Sequence, residues 1–350
     1  MLYTLALMSV ERMEVGVVGA GAWGTALADQ LANMGHGTTL WCHEPEVAQE
    51  IRETGVNGTF LPGHRLQESI RVTNDLDESV RGKAMIVVAV PSHHVRRIAS
   101  GFRGALQRGT LLVSASKGIE SETLMTMSEV YSDVLESNFH KHFAVLSGPS
   151  FAIEVARRMP TAVTIAAWDQ RTAVRVQQAV SSTWFRGYTS SDVVGVELGG
   201  ALKNVVAIAV GAMDGAGFGH NTRAGLITRA LSEISRLAVR KGGNPLTVSG
   251  LSGLGDLILT CTGELSRNRT FGFRLGRGER VQDILSSQKQ VVEGFLTARS
   301  AHELVSQLGV EAAILENTYR FLHDNEAGRP ISEFVYGVMS RELKAEVAWV

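Results

Sequence analysis

Cysteine and charge are both scarce in this chain of 350 residues, and each scarcity excludes a class of function. The two cysteines, Cys42 and Cys261, lie far apart without a CxxC spacing. That argues against a disulfide framework or a metal site, and it fits a reducing cytoplasm. Charged residues make up 20% of the chain and the net charge is −1. No overall field would attract nucleic acid or an anionic membrane, so an anionic ligand needs locally placed lysines and arginines.

Long apolar runs are also lacking. None approaches the ~20 residues that a membrane-spanning helix needs, so we expect no membrane insertion. Residues 1–8 are mildly apolar, but they have no basic region before them and no small-residue cleavage pattern after them. We interpret them as an extended or misassigned start rather than a signal peptide.

The pattern of apolar segments predicts an α/β fold in two parts. Uniformly apolar strands separated by amphipathic helices indicate a parallel sheet covered on both faces. We therefore expect a doubly wound, Rossmann-like domain over residues 14–194, followed by a mainly helical domain over residues 195–350. The strand candidates are residues 15–18, 38–41, 85–90, 111–114, 143–146 and 161–166. The helix candidates are residues 25–34, 123–135, 196–213, 222–240, 281–286, 297–308 and 311–323.

A glycine motif connects the first predicted strand to the first predicted helix. Gly19, Gly21 and Gly24 form GxGxxG in this context, which is typical of a dinucleotide site; the alternative is a tight turn without ligand. Gly19 would allow the turn, Gly21 would let the backbone approach the pyrophosphate, and Gly24 would let the helix pack closely. The free N–H groups of the helix would face the phosphates.

The choice between NAD and NADP depends on two residues after the second strand. Glu44 stands near the position where an acidic side chain binds the ribose hydroxyls of NAD. His43 could instead meet the 2′-phosphate of NADP, and the pattern leaves both readings open. Farther on, Lys117 emerges from an apolar strand, so we expect it to point at a ligand rather than at random into solvent.

The predicted helical domain contains the candidate chemical groups. Lys203 and Asn204 stand in a helix that is apolar nearly all round. Burial would lower the pKa of this lysine and suit it to general acid–base catalysis, but its amine could equally reach water. Asp256 could hold Lys203, orient a substrate hydroxyl or cap the following helix. Arg267, beside Ser266 and Asn268, suits a phosphate monoester, although RxR alone is somewhat more typical of a solvated loop.

Several of these segments together resemble the bacterial NAD(P)-dependent glycerol-3-phosphate dehydrogenases. The match runs in order from about residue 15 to residue 327. It rests on residues 19–28 (GAGAWGTALA), 116–118 (SKG), 147–151 (SGPSF), 196–204 (VELGGALKN), 253–262 (GLGDLILTCT) and 266–269 (SRNR).

The resemblance implies a role for each matching position. Lys203 would donate and accept the proton. The substrate phosphate ester would be surrounded by Lys117, Gly148, Ser150, Lys203, Asp256, Ser266, Arg267 and Asn268. The dinucleotide would contact, besides the three motif glycines, Ala22, Trp23, His43, Lys117, Ala152, Arg267, Val291 and Glu293. Many relatives carry arginine where this chain has His43, which weakens any inference of NADP preference.

The resemblance also implies a reaction: reversible hydride transfer between a nicotinamide ring and C2 of glycerone phosphate, without a metal. We expect both NAD and NADP to serve, with NADPH somewhat favoured. The implied setting is a cytoplasmic supply of glycerol phosphate for phospholipid synthesis, and a homodimer is compatible with it. Two alternatives stay open: a dehydrogenase of a sugar acid or hydroxy acid, and a catalytically silent dinucleotide sensor. A sensor would need neither Lys117 nor Lys203.

Overall fold

The computed structural model describes residues 11–135, 139–287, 291–324, 329–340 and 342. The expectation for residues 1–8 lies outside these ranges. Within them the strands are β1 (Glu14–Val18), β2 (Gly37–Trp41), β3 (Arg71–Thr73), β4 (Met85–Val88), β5 (Leu111–Ser114), β6 (Phe143–Ser147), β7 (Thr161–Ala166) and β8 (Phe185–Ser190). The first seven helices are α1 (Ala22–Asn33), α2 (Pro45–Thr54), α3 (Leu76–Val80), α4 (Val95–Phe102), α5 (Met127–Val134), α6 (Ala152–Ala156) and α7 (Gln170–Val180).

The described chain after β8 is mainly helical. Its helices are α8 (Val193–Gly215), α9 (His220–Arg240), α10 (Pro245–Val248), α11 (Asp256–Thr262), α12 (Arg267–Gly276), α13 (Val281–Ser287), α14 (Glu293–Leu308), α15 (Ala313–His323) and α16 (Ile331–Met339). A π-helical turn, Leu251–Gly255, leads directly into α11. The predicted α/β class, with a Rossmann-like sheet followed by a mainly helical part, is confirmed.

The strands form one sheet in the order β3-β2-β1-β4-β5-β6-β7-β8. Neighbouring strands are parallel except β6 and β7, which pair antiparallel, so the expectation of a wholly parallel sheet is wrong for this pair. The reason lies in the connection between them. Its helix α6 packs against α1 instead of crossing over the face of the sheet. The chain therefore starts β7 beside the carboxyl end of β6, and the two strands run in opposite directions.

Two strands were not predicted, because their sequences are not uniformly apolar. β3 has three residues, and β8 is an edge strand in which Phe185 and Gly187 are buried while Arg186 and Tyr188 are exposed. The first residues of two helices also differ from the prediction. Helix α1 begins at Ala22 rather than at residue 25, and α5 begins at Met127 rather than at residue 123. A capping box between Thr126 and Glu129 fixes the start of α5.

The long helix α8 is the core of the helical part. By length and apolar composition it could cross a membrane, so the expectation that no run is long enough is wrong. Its apolar window is 94% buried inside the protein, as in the core helix of a globular fold. Glu197 anchors it to the sheet part by accepting hydrogen bonds from the backbone N–H and hydroxyl of Ser128, at 2.7 and 2.6 Å. This contact fixes α8 relative to the strand ends that form the site.

Candidate active site

The glycine loop after β1 forms one wall of a cleft of about 1070 Å³. Gly19 has a φ of +114°, a left-handed conformation that favours glycine, and Gly21 is the N-cap of α1. A methyl group at Gly24 would lie 1.8 Å from the carbonyl oxygen of Gly19, whereas one at Gly21 would meet no atom within 4 Å. Packing therefore requires Gly19 and Gly24, and Gly21 leaves open space before the helix N-terminus.

A fully buried asparagine holds this loop in place. The amide nitrogen of Asn57 donates to the carbonyl oxygen of Ala20 and to the hydroxyl of Thr25, each at 2.8 Å. Its carbonyl oxygen accepts from the backbone N–H of Phe60 at 3.0 Å. Phe60 also lines the cleft, so one side chain joins the glycine loop to a second lining segment. Sequence reasoning missed Asn57, since no local pattern indicates its distant partners.

The ends of β5 and β6 supply the next part of the cleft, as expected for the carboxyl edge of a doubly wound sheet. Lys117 follows β5, and Ser150 follows β6; both line the cleft. The ammonium of Lys117 reaches toward the carbonyl oxygen of Gly148 at 3.4 Å. The hydroxyl of Ser150 donates to that same oxygen at 3.0 Å. Lys117 therefore lies at the cleft, and its role in binding a ligand stays a prediction.

Lys117, Lys203 and Asp256 form a buried charge cluster beneath the cleft. Lys117 Nζ donates to Asp256 Oδ2 at 2.7 Å, and Lys203 Nζ donates to Asp256 Oδ1 at 2.5 Å. Asp256 is 1% exposed, and the two ammonium groups balance the cost of burying its charge. Its side chain makes no capping bond to α11, of which it is the first residue. Of the three roles expected for Asp256, holding Lys203 agrees with the geometry, and capping is wrong.

A threonine one turn along α11 completes the cluster. Thr260 accepts a hydrogen bond from Lys203 Nζ at 2.9 Å, and its hydroxyl donates to the backbone carbonyl of Asp256 at 2.6 Å. Thr260 also lines the cleft. The sequence did carry a signal for this residue, because positions four apart on a helix share one face.

The protonation of Lys203 is set by its surroundings. Burial lowers the pKa of its ammonium to about 8, the positive charge of Lys117 acts in the same direction, and the carboxylate of Asp256 opposes both. Lys203 is 7% exposed, and Asp256 and Thr260 hold its amine at the cleft rather than at the outer surface. It can therefore exchange a proton near neutral pH, as a general acid or base must.

Glycines on two helices bring the start of α12 to this cluster. A methyl group at Gly211 of α8 would lie 2.0 Å from the carbonyl oxygen of Arg269, and one at Gly272 of α12 would lie 2.0 Å from that of Ile208. The two backbones thus touch where side chains would keep them apart. This close crossing directs the first turn of α12 at the cleft.

Ser266, Arg267 and Asn268 form that first turn. Ser266 caps α12 by accepting from the backbone N–H of Arg269. Arg267 is exposed to the cleft, and its guanidinium contacts the carbonyl oxygen of Val291 at 3.4 Å. Residues 267–276 are helical, so the reading of RxR as a solvated loop is wrong. The second arginine, Arg269, is paired with Asp214 at 2.8 Å and is structural.

Asn204, Asn268 and Glu293 form a polar wall beside Arg267. Asn268 donates to the side-chain oxygen of Asn204 at 3.0 Å and accepts from the backbone N–H of Gly294 at 2.9 Å. Asn204 donates in turn to Glu293 at 3.4 Å. Burial raises the pKa of Glu293, against the lowering effect of Arg267, Lys117 and Lys203.

The far end of the cleft is formed by the residues after β2. His43 and Glu44 both line it and are exposed, and the imidazole of His43 lies 5.7 Å from the indole of Trp41 between ring centroids. Both candidates for the adenosine ribose thus face the same space, as predicted from the strand end.

Most of the predicted site residues share this single cleft, although their binding roles stay predictions. Its lining includes Gly19, Gly21, Ala22, Trp23, His43, Lys117, Ser150, Ala152, Lys203, Ser266, Arg267, Asn268, Val291 and Glu293. Gly24, Gly148 and Asp256 stand behind the lining and act on it through packing or hydrogen bonds. Residues not proposed from the sequence also line it, among them Trp41, Phe60, His94, Arg97 and Thr260.

Comparison with known proteins gives consistent matches along the chain. Residues 14–173 match the family model for the NAD-dependent glycerol-3-phosphate dehydrogenase N-terminus, and residues 192–346 match that for its C-terminus. A glycerol-3-phosphate dehydrogenase (NAD(P)+) from Geobacter sp. (strain M21) is 51% identical over 333 residues, covering 95% of this chain and 98% of the relative. One of the same name from Myxococcus xanthus is 51% identical over 338 residues, covering 97% and 100%.

A solved structure is similar too. The glycerol-3-phosphate dehydrogenase from Coxiella burnetii superposes with a TM-score of 0.89 at 34% identity, covering 94% of this chain and 99% of that one. A ketopantoate reductase from Ralstonia eutropha, at 17% identity and a TM-score of 0.58, shares the fold.

Proposed function

The chain belongs to the NAD-dependent glycerol-3-phosphate dehydrogenase family, and on that premise we propose that it interconverts glycerone phosphate and sn-glycerol 3-phosphate with NAD or NADP. The observation that carries the proposal is the pairing of Lys203 and Lys117 with one buried carboxylate at the floor of the cleft. Two ammonium groups at one point suit a reaction in which negative charge develops on an oxygen.

The cleft fits a dinucleotide. The open space before Gly21 gives a pyrophosphate room to approach the N-terminus of α1. The buried indole N–H of Trp23, also in the lining, has no hydrogen-bond partner among the described residues. We assign dinucleotide binding to the glycine loop with Ala22, Trp23, His43, Ala152, Val291 and Glu293. When bound, the nicotinamide ring supplies or takes up the hydride.

Arg267 is the proposed ligand of the substrate phosphate. Its guanidinium faces the cleft and makes only one long contact with a backbone oxygen among the described residues, so its fork is available to a phosphate. The hydroxyl hydrogen of Ser266 and the second amide hydrogen of Asn268 are placed to assist. Binding energy from the phosphate would position the carbonyl over the lysines.

Lys203 is the proposed proton donor in the direction of reduction. As the C2 carbonyl becomes an alkoxide, the ammonium of Lys203 stabilises the negative charge and gives its proton to the oxygen. Lys117 adds positive charge beside it, and Asp256 fixes both amines. In the direction of oxidation, neutral Lys203 takes the hydroxyl proton. The pKa of about 8 makes both protonation states accessible.

The remaining assignments rest on the family and the sequence. We propose the division into residues 14–194 and 195–350, a cytoplasmic homodimer without membrane insertion, and a role in supplying glycerol phosphate for phospholipid synthesis. We also propose that both cofactors serve, with NADPH somewhat favoured because His43 faces the cleft.

The test is an initial-rate assay of NADH and NADPH oxidation with glycerone phosphate, beside dihydroxyacetone and a panel of keto acids and keto-sugar acids, which are the oxidised forms of the alternative hydroxy-acid and sugar-acid substrates. We expect turnover with glycerone phosphate and both cofactors, and poor use of dihydroxyacetone. Faster turnover of an acid would assign a different substrate. Cofactor binding without turnover on any substrate would indicate a sensor.

A further inference from the structure

Two groups of cations line the cleft, apart from Arg274, which is paired with Glu279 at 2.5 Å. The first group, Arg267, Lys117 and Lys203, surrounds the proposed reaction centre. All three charges act to lower the pKa of Glu293, against the effect of burial. The second lies at the other end, where the pKa of His94 is lowered by burial and then by the charges of Arg97 and His43, while Glu44 opposes them. No residue belongs to both groups, and the second group contains none of the proposed ligands of the substrate phosphate.

Sheet topology explains why the second group assembles. β2 and β4 flank β1 on either side, so the residues after them stand on the two sides of the glycine loop at one edge. His43 and Glu44 follow β2, whereas His94 and Arg97 follow β4, and all four line the cleft. A dinucleotide whose pyrophosphate lies at the glycine loop would extend its adenosine between them.

Arg97 differs from its neighbour in how its charge is balanced. Arg96 pairs with both Glu120, at 2.8 Å, and Asp133. Arg97 makes no ion pair or side-chain hydrogen bond within the described ranges, although it faces the cleft. A positive charge held without a carboxylate partner in a binding cleft is suited to an anionic ligand group.

We propose, on the basis of the function above, that Arg97 binds the 2′-phosphate of NADP, with His43 and His94 beside it. Arg97 would then be a specificity-determining residue that discriminates between the two cofactors. Glu44 would act against the same phosphate by repulsion, which explains why neither cofactor is excluded. The site recognises a ribose phosphate monoester and not the adenine ring.

The experiment compares wild type, Arg97→Ala, Arg97→Lys and the control Arg103→Ala. Arg103 is exposed at the C-terminal end of α4, outside the cleft, and its loss changes the net charge equally. Calorimetry would measure the affinities for adenosine 2′,5′-bisphosphate and for AMP. These fragments need no hydride transfer, so the result stands whether or not glycerone phosphate is turned over.

We expect Arg97→Ala to lose about tenfold in affinity for the bisphosphate, as for one charge-assisted contact, with AMP binding unchanged. Arg97→Lys should retain most of the affinity, and Arg103→Ala all of it. In steady state, kcat/KM should fall about tenfold for NADPH and stay constant for NADH. Equal losses for both fragments would show that Arg97 contacts the adenine or shared phosphate. Equal affinities of the wild type for both fragments, or an unchanged Arg97→Ala, would also overturn the proposal.

Discussion

The glycine loop and the lysine–aspartate cluster face one cleft but depend on different parts of the chain. At the loop the absence of side chains matters, because Gly24 packs against a backbone oxygen and Gly21 leaves space. At the cluster the charges of three side chains matter, and they come from the segment after β5, from α8 and from α11. Substitutions in the loop should therefore change shape and binding, whereas substitutions in the cluster should change proton transfer.

The largest effect is expected from the cluster. Lys203→Ala should lower kcat by about a hundredfold or more, because a general acid is lost. The fold should be kept, because Lys117 still pairs with Asp256, although the thermal midpoint of unfolding should fall with the loss of one ion pair. The affinity for dinucleotide is the control and should stay close to wild type. A folded Lys203→Ala variant with near-normal kcat would remove this residue from the mechanism.

The next effect concerns the phosphate side. Arg267→Ala should raise KM for glycerone phosphate by about tenfold or more, since a charge-assisted contact is lost. The weak use of dihydroxyacetone, which has no phosphate, should hardly change. Arg277→Ala, an exposed arginine at the other end of α12, is the matched control. Equal losses on both substrates would argue against Arg267 as the phosphate ligand.

Two of the three motif glycines, Gly21 and Gly24, should separate the effect of packing from that of binding. Gly24→Ala should lower the free energy of unfolding by about 1–3 kcal/mol, because its methyl group collides with the carbonyl of Gly19. Gly21→Ala should leave unfolding unchanged and weaken dinucleotide binding severalfold, because its methyl group fills the open space. Chemical denaturation and cofactor titration of both variants measure the difference. If Gly21→Ala binds normally, the pyrophosphate does not approach at that point.

The smallest effect is a displacement of the pH profile. In the direction of reduction, kcat/KM should fall as pH rises through about 8, because Lys203 loses the proton it donates. Lys117→Met removes a like charge, so the pKa of Lys203 rises and the fall moves to higher pH. Asp256→Asn removes an attractive charge, and the fall moves to lower pH. If kcat/KM falls at the same pH in wild type, Lys117→Met and Asp256→Asn, the titration belongs to another group.

Local sequence patterns were sufficient to predict elements whose parts are adjacent in the chain. The strand–GxGxxG–helix unit was predicted correctly because the turn, the strand and the helix are adjacent in the chain. β8 was missed because an edge strand alternates in burial, and the antiparallel direction of β7 was missed because it depends on where α6 packs. Thr260 could have been found from its spacing to Asp256. Asn57 could not, since its partners Ala20 and Thr25 are far from it in sequence.

The sequence by itself determined the α/β class and the glycine loop and singled out Lys117 and Lys203 as candidates, because these follow from local periodicity, residue size and an unusual charge in an apolar segment. Only the tertiary structure decided that Lys117 and Lys203 share one carboxylate, and that α12 approaches α8 closely enough to present Arg267. It also decided that Arg97 and His43, which follow different strands, line the same cleft. Each of these facts depends on contacts between segments that are distant in the chain, and no local pattern of residues predicts such contacts.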